Sequence, residues 1–228
     1  MPNKGDRGGS KTRAHIAAVA TQMFLERGFD EVTIAEVASA ANVSKVTVFA
    51  HFERKEDLLF DQLPDAVEIV RSAIRNRATG TGVVESLRDA ALFQAEQENP
   101  LSVLNPGIEP FIRMILDSAA LVGRLRLFAH EIETAIAAEL EMDAAFLGDS
   151  ALVAALVVAA YRVVAVKTIR RRLAGDSLSE IILMHQTYLD ECFDAVAEAI
   201  SIQRSVFFDR NTAHAGCTRP DVSFEAKI

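Results

Sequence analysis

The stretch Thr33-Ile34-Ala35-Glu36-Val37-Ala38-Ser39-Ala40-Ala41-Asn42-Val43-Ser44-Lys45-Val46-Thr47-Val48-Phe49-Ala50-His51-Phe52 decides the fold. Thr33 is followed three residues later by Glu36, the pattern of a capping box, and Ile34, Val37, Ala38 and Ala41 then form one apolar stripe. Asn42-Val43 makes a short turn. Ser44 is the N-cap of the next helix, which runs to Phe52 with Val48 and Phe52 on its core side. Upstream, Ile16, Ala20, Met23 and Phe24 recur at i, i+4, i+7 and i+8, and Gly28 supplies a C-terminal stop. Residues 11–52 therefore read as three short helices, the last two joined by a turn of about four residues, which is a helix-turn-helix. The unit has a physical use. A helix about 10–12 Å across enters the major groove of B-DNA while the preceding helix braces it. The caps at Thr33 and Ser44 satisfy otherwise unpaired N–H groups and aim positive helix ends at phosphates.

The charge balance of the whole chain argues the other way. The 228 residues carry a formal net charge of -8 and a pI near 5.2, whereas a phosphate-binding domain is usually basic. Dividing the chain removes the conflict. Residues 1–60 hold eight Lys and Arg against eight Asp and Glu; residues 61–228 hold sixteen against twenty-four. All the excess acidity thus lies outside the reader. Within residues 1–15 the balance is +3, from Lys4, Arg7, Lys11 and Arg13 against Asp6. Residues 1–10, with three Gly, read as a flexible basic arm that either follows DNA or is a solvated tail. The acidity of the body would lower nonspecific adhesion to DNA.

The remaining composition narrows the class. Half the residues are hydrophobic, enough for a buried core, so general disorder is excluded. The only cysteines, Cys192 and Cys217, are too few for a disulfide scaffold or a four-ligand zinc site, and a reducing cytoplasm fits them. The most apolar run, Ala151 to Val166, is interrupted by Arg162 and falls short of the ~20 residues that span a bilayer. No apolar segment follows the basic N-terminus as in a signal peptide. No membrane association is expected.

Beyond the first three helices the pattern stays helical. A longer helix is expected over Lys55–Arg77, bent or interrupted by Pro64, then Val83–Gln97, a loop over Asn99–Pro110, Phe111–Asp117 and about Ala120–Glu141. Two long helices follow, near Ser150–Ala174 and Leu178–Ile202, parted by Gly175-Asp176-Ser177. No segment reads as a strand. The fold class is all-α: a three-helix DNA-binding domain over residues 11–60, a helical effector-binding and dimerisation domain over 61–204, and a tail over 205–228.

The segments Arg13-x-x-Ile16-Ala17-Ala18, Phe24-Leu25-Glu26-Arg27-Gly28-Phe29, Thr33 to Ala38, Ala41 to Lys45 and Thr47 to Leu58 together resemble the DNA-binding domain of the tetracycline-repressor (TetR) family. The resemblance runs almost continuously over residues 11–60. It implies a homodimeric, ligand-responsive transcriptional regulator with a divergent all-α C-terminal domain and no cofactor, repression being the family habit and activation the alternative. Carried over by position, Thr33 and the Ser44 cap would face phosphates; Lys45, Val46, Thr47 and Ala50 would lie along the groove; His51 and Lys55 would pin the backbone. The chain departs from the family pattern at Val46, where many members have Gly, and at Phe49, where many have Tyr. Val46 has the character to meet a thymine methyl. Phe49 lacks the phenol that would bond a phosphate, so it either packs or meets DNA without that bond.

Family resemblance also organises the C-terminal half. Leu152, Leu156, Ala159, Val163 and Val166 on one long helix, and Ile181, His185, Leu189, Cys192, Val196 and Ile200 on the other, recur every three or four residues. Two such helices from each protomer would make a four-helix dimer interface, the alternative being monomer core. A two-fold dimer sets two recognition helices about 34–36 Å apart, one turn of DNA, and reads a palindrome-like operator. Phe93, Phe111, Met114, Phe128 and Tyr161, with Arg124 as a polar tip, either line an apolar effector pocket or are plain core. The stretch Ser118 to Arg126 with Glu131 is similar to regulators whose ligand domains take acyl-CoA-type molecules. Arg170-Arg171-Arg172 is read as a helix end whose cations complement the dipole. No G-x-S-x-G, H-E-x-x-H or phosphate-binding loop occurs, which argues against an enzyme. His130-Glu131 and the His185/Cys192 face lack partners for a metal site. A helical adaptor that binds no DNA is the remaining rival, and it would not need Thr33, Ser44, Lys45 and His51 at reader positions.

Overall fold

In the computed structural model, residues 4–96 and 103–215 are described, with side chains over 9–95 and 103–201. Every regular element among them is helical. The first, α1 (Lys4–Arg27), begins seven residues before its expected start, so residues 4–10 continue the helix instead of forming an arm. It ends as expected, with Gly28 in the left-handed region at φ 89° and its N–H on the Phe24 carbonyl at 2.8 Å. The next two, α2 (Ile34–Ala40) and α3 (Lys45–His51), complete the helix-turn-helix. Between them Asn42 takes φ 54°, a conformation Asn adopts more readily than most residues.

The expected helix over Lys55–Arg77 is two elements. Glu56–Leu58 form a single 3-10 turn, and α4 runs Leu63–Arg75. Pro64 opens α4 instead of bending it. A first-turn N–H has no partner inside the helix, so a residue without one loses nothing there. The chain continues through α5 (Val83–Glu96), α6 (Glu109–Asp117) and α7 (Ala119–Met142) to the long pair α8 (Ser150–Ala174) and α9 (Leu178–Ala215). Residues 97–102, which include the start of the expected Asn99–Pro110 loop, lie outside the described residues, as do 216–228 with Cys217. The helix α9 covers the first part of the expected 205–228 tail.

Two buried clusters organise these helices. The first joins Ile16, Phe24, Val37, Val48 and Phe52 of the N-terminal helices to Leu58, Leu59 and Phe60, and extends through Leu63 to Ile115 of α6 and Leu121 of α7. Packing therefore does not break at residue 60. The second gathers Ile74, Leu87, Ile136, Leu140, Val153, Val157, Val164, Leu189 and Phe193 from α4, α5, α7, α8 and α9. Glu139 of α7, buried within the body, receives two hydrogen bonds from Arg75 of α4, at 2.7 and 2.5 Å. Such a bidentate pair locks the two helices in register.

The α8–α9 hairpin corrects one reading. Gly175, at φ 86°, caps α8 and turns the chain. Ile181, His185, Leu189 and Val196 then face inward and are buried within the monomer. That stripe belongs to the protomer's own core, because two helices joined by so short a turn must first cover each other. Leu152, Val163 and Val166 of α8 remain exposed on the opposite side, with Ile182 and Leu183 of α9. By length and composition α8 could also cross a membrane, being longer than the apolar run that the sequence suggested. Its inner face, at Val153, Val157 and Val164, is packed against protein.

The arginine run at the end of α8 is not a simple dipole complement. Arg172 is buried, and its guanidinium donates to the Leu104 carbonyl at 3.1 Å, the Asn105 carbonyl at 2.7 Å and Glu109 Oε1 at 3.1 Å. Arg171 pairs with Asp176 at 2.6 Å, and Arg170 is exposed.

Candidate nucleic-acid interface

The N-terminal unit is held by local caps and by two long-range cations. At the start of α2 the Thr33 N–H and hydroxyl both donate to Glu36 Oε2, at 2.8 and 2.7 Å, and the Glu36 N–H returns a bond to Thr33 Oγ1 at 3.3 Å. Arg27, at the end of α1, donates to Glu36 Oε1 at 2.7 Å. The Thr33 backbone and side-chain bonds, then Arg27, hold the Glu36 carboxyl down to about 2. At α3 the Thr47 N–H donates to Ser44 Oγ at 3.0 Å, and the two hydroxyls share a bond at 2.8 Å. Both expected caps are present.

The far end of α3 is fixed by Arg13. Its guanidinium donates to the His51 carbonyl and to the Asp61 carbonyl (3.4 Å), and lies 4.2 Å over the Phe52 ring. In the sequence Arg13 stands out only as a basic residue near the N-terminus and as the start of a family-like segment. Nothing in the local pattern announces a partner 38 residues away.

These constraints set which side of α3 faces outward. Val48 and Phe52 are 1% and 2% exposed, as their spacing demanded. Ser44, Lys45, Val46 and Ala50 are exposed, while Thr47 and His51 are half-buried. Thr33 is exposed at the start of α2 with its hydroxyl committed to Glu36. Six of the eight candidate residues thus cluster along α3 and its cap, while Thr33 caps the start of α2.

Lys55 and Phe49 turn in opposite directions. Lys55 turns inward: its Nζ donates to the Phe29 carbonyl at 2.5 Å and sits 4.3 Å over the Phe29 ring and 5.7 Å over that of Phe24. Burial draws its pKa below the ordinary lysine value, against the opposing pull of Asp30 and Glu56. It fastens the segment after α3 to the α1–α2 connection, so the group expected to pin DNA is engaged inside the protein. Phe49 goes the other way. It is 54% exposed and packs into no core; one residue past buried Val48 and three past Val46, it shares the outer face. Its position carried that signal, which its hydrophobicity masked.

The six residues expected around an effector do not meet in one place. Phe111, Met114 and Phe128 pack against the N-terminal cluster, Phe111 meeting Phe60 edge-on at 6.5 Å between ring centroids. Arg124 donates to Asp57 Oδ1 at 2.8 Å and Glu131 Oε1 at 3.1 Å, which ties α7 to the turn after α3. Phe93, 55% exposed, borders an open groove of about 680 Å³ between α4 and α5. Met114 also borders a hollow of about 430 Å³ between the α1–α2 connection and α6. Tyr161 stands apart on α8, sharing the inward face of Val157, Val164 and Thr168 yet 37% exposed.

Comparison with known proteins agrees with this geometry. The family model of bacterial regulatory proteins, tetR family, matches residues 16–61. The HTH-type transcriptional regulator AcrR of Shigella flexneri is 34% identical over 58 residues, which cover 25% of this chain and 27% of that protein. The chain is matched to about a quarter to a third of the length of the curated relatives it resembles. Among solved structures, NalD of Pseudomonas aeruginosa, the secondary repressor of the MexAB-OprM multidrug efflux pump, aligns with a TM-score of 0.54 at 16% identity, over 82% of this chain and 96% of that one. The SmeT–triclosan complex aligns at 0.53 and 14% identity, over 81% and 91%. At such identities these two neighbours establish the fold. The matched segment coincides with the braced helix-turn-helix, so the N-terminal domain of this chain is similar to the DNA-binding domain of the tetR family of bacterial regulatory proteins.

Proposed function

We propose that this protein is a cytoplasmic, DNA-binding transcriptional regulator and not an enzyme. In this reading it is a repressor that leaves a palindrome-like operator when a small, largely apolar effector binds. The observation that carries the reading is the outer face of α3. Lys45, Val46, Phe49 and Ala50 project from a helix whose two ends are fixed by the Ser44 cap and Arg13. A helix so braced, and narrow enough for the major groove, has the form of a groove reader.

The dimer follows from the exposed face of the hairpin. Leu152, Val163 and Val166, joined by Ile182 and Leu183, make an apolar surface that a second copy would cover. Its two-fold symmetry would present two copies of α3 to successive turns of DNA. Effector binding is supported by the open groove of about 680 Å³ between α4 and α5, which Phe93 borders, and by the triclosan complex of the structural neighbour SmeT. Induction would then be a shift toward a spacing of the two α3 helices that no longer matches the half-sites.

Selection of bound duplexes from a random pool by the full chain tests the reading. Enrichment of a two-fold symmetric site is expected, with affinity falling steeply as salt rises. A pool that stays random through repeated rounds would exclude it.

A further inference from the structure

The outer face of α3 has a restricted chemistry for a helix placed to read bases. In the major groove, guanine is read by Arg or Lys, adenine by Asn or Gln, and cytosine by an acidic acceptor. No Arg, Asn, Gln, Asp or Glu occurs between Lys45 and His51. The Thr47 hydroxyl is already bonded to Ser44, 2.8 Å away. His51 is half-buried at the last residue, and Lys45 is the one exposed cation, at the first. Between them the accessible surface is hydrocarbon from Val46, Phe49 and Ala50. Val46 is 78% exposed, the most of any large hydrophobic side chain on the described surface. Neither it nor Phe49 has a use inside the protomer, since Val48 and Phe52 supply the core contacts. The one apolar group that a base presents in the major groove is the 5-methyl of thymine. Val46 and Phe49, three residues apart, are neighbours on one face and can meet methyls on adjacent steps.

We propose that Val46 and Phe49 are the specificity-determining pair of α3 and read thymine 5-methyl groups in each half-site by apolar contact. The inference rests on the DNA-binding reading above and adds to it which base is chosen and by what chemistry. Lys45 supplies charge at the entry of the helix; the apolar pair supplies the choice. Exchanging the pair for alanine therefore relaxes sequence preference.

The test uses the full chain and the site enriched from a random pool. Each thymine is replaced singly by uracil, which removes the methyl and leaves the hydrogen-bonding edges unchanged, and Kd is measured at one salt concentration. At one or more positions per half-site the uracil duplex is expected to bind about three- to fivefold more weakly, the scale of one methyl taken out of contact. That penalty disappears in Val46→Ala at one position and in Phe49→Ala at another, each variant binding the thymine and uracil duplexes equally there. Because both side chains are exposed, neither exchange threatens the fold. A parent protein indifferent to every uracil, or an unchanged penalty in both variants, overturns the inference and leaves the DNA-binding reading standing. If no sequence is enriched, that reading falls and the inference with it.

Discussion

Arg124 of α7 donates to Asp57 in the turn that follows the recognition helix, at 2.8 Å, and both side chains are largely withdrawn from solvent. The bond joins the C-terminal helical body to the helix-turn-helix domain, and the same guanidinium is steadied by Glu131 at 3.1 Å. A charge-assisted bond in this setting contributes about 1.5–3 kcal/mol. Arg124→Gln or Asp57→Asn should lower unfolding free energy by roughly 1.5–3 kcal/mol. The two together should cost clearly less than the sum of the single changes. Urea unfolding of the four proteins in a double-mutant cycle measures the coupling; strict additivity would deny the bond.

Lys55 separates a structural cation from a DNA-binding one. Lys55→Met keeps the length of the side chain but loses the bond to the Phe29 carbonyl and the contact with two aromatic faces. A loss of about 1–2 kcal/mol in stability is expected. The slope of log affinity against log salt should stay at its parental value, because no phosphate contact is removed. A slope reduced by about one unit would return Lys55 to the phosphate backbone.

The proposed dimer is tested at the exposed face of α8. Val163→Asp places a charge at the centre of the surface formed by Leu152, Val163 and Val166 without entering the monomer core. Sedimentation equilibrium should show dimer for the parent and monomer for the variant, with the helical circular-dichroism signal retained. A variant that stays dimeric locates the interface elsewhere.

His185 ties stability to pH. It is 2% exposed, its Nδ1 lies 2.9 Å from Thr168 Oγ1, and burial lowers its pKa to about 4 from the ordinary 6.5. The folded form therefore keeps the ring neutral where the unfolded chain takes up a proton. The stability this site confers is fully present above pH about 6.5 and is lost progressively as pH falls toward about 4, by as much as roughly 3 kcal/mol. Urea unfolding across that interval should show the decline in the parent and a shallower one in His185→Asn. Parallel curves would exclude His185 as the source.

What could be read from sequence was what is local. Thr33 with Glu36, Ser44 with Thr47, and the spacing of Val48 and Phe52 place their partners within one or two turns, and all of these stand as expected. The residues misjudged are long side chains whose partners are distant in sequence. Lys55 finds Phe29 across 26 positions, Arg124 finds Asp57 across 67, and Arg172 finds Leu104 across 68. Periodicity could identify the apolar stripe of Ile181, Leu189 and Val196 but not which surface it meets. A helix that packs on its hairpin neighbour and one that packs on a second protomer have the same spacing. The ligand candidates do not meet in one cavity, for a related reason. Phe111, Met114 and Phe128 are aromatic or flexible side chains suited to a cavity, and the fold uses them to seat the reading domain.

One small helix acquires a mechanical meaning from its two ends. Glu109, the first residue of α6, is held by Arg172 at the close of α8, and Ser118, just past its last, donates to Asp30 in the α1–α2 connection at 3.1 Å. Nine helical residues make a rod of about 13 Å. A rod pinned at both ends transmits displacement instead of absorbing it. Any movement of the C-terminal end of α8 is thereby delivered as a push or pull on the α1–α2 connection, and the protein has in α6 a tie-rod from its body to its reading head.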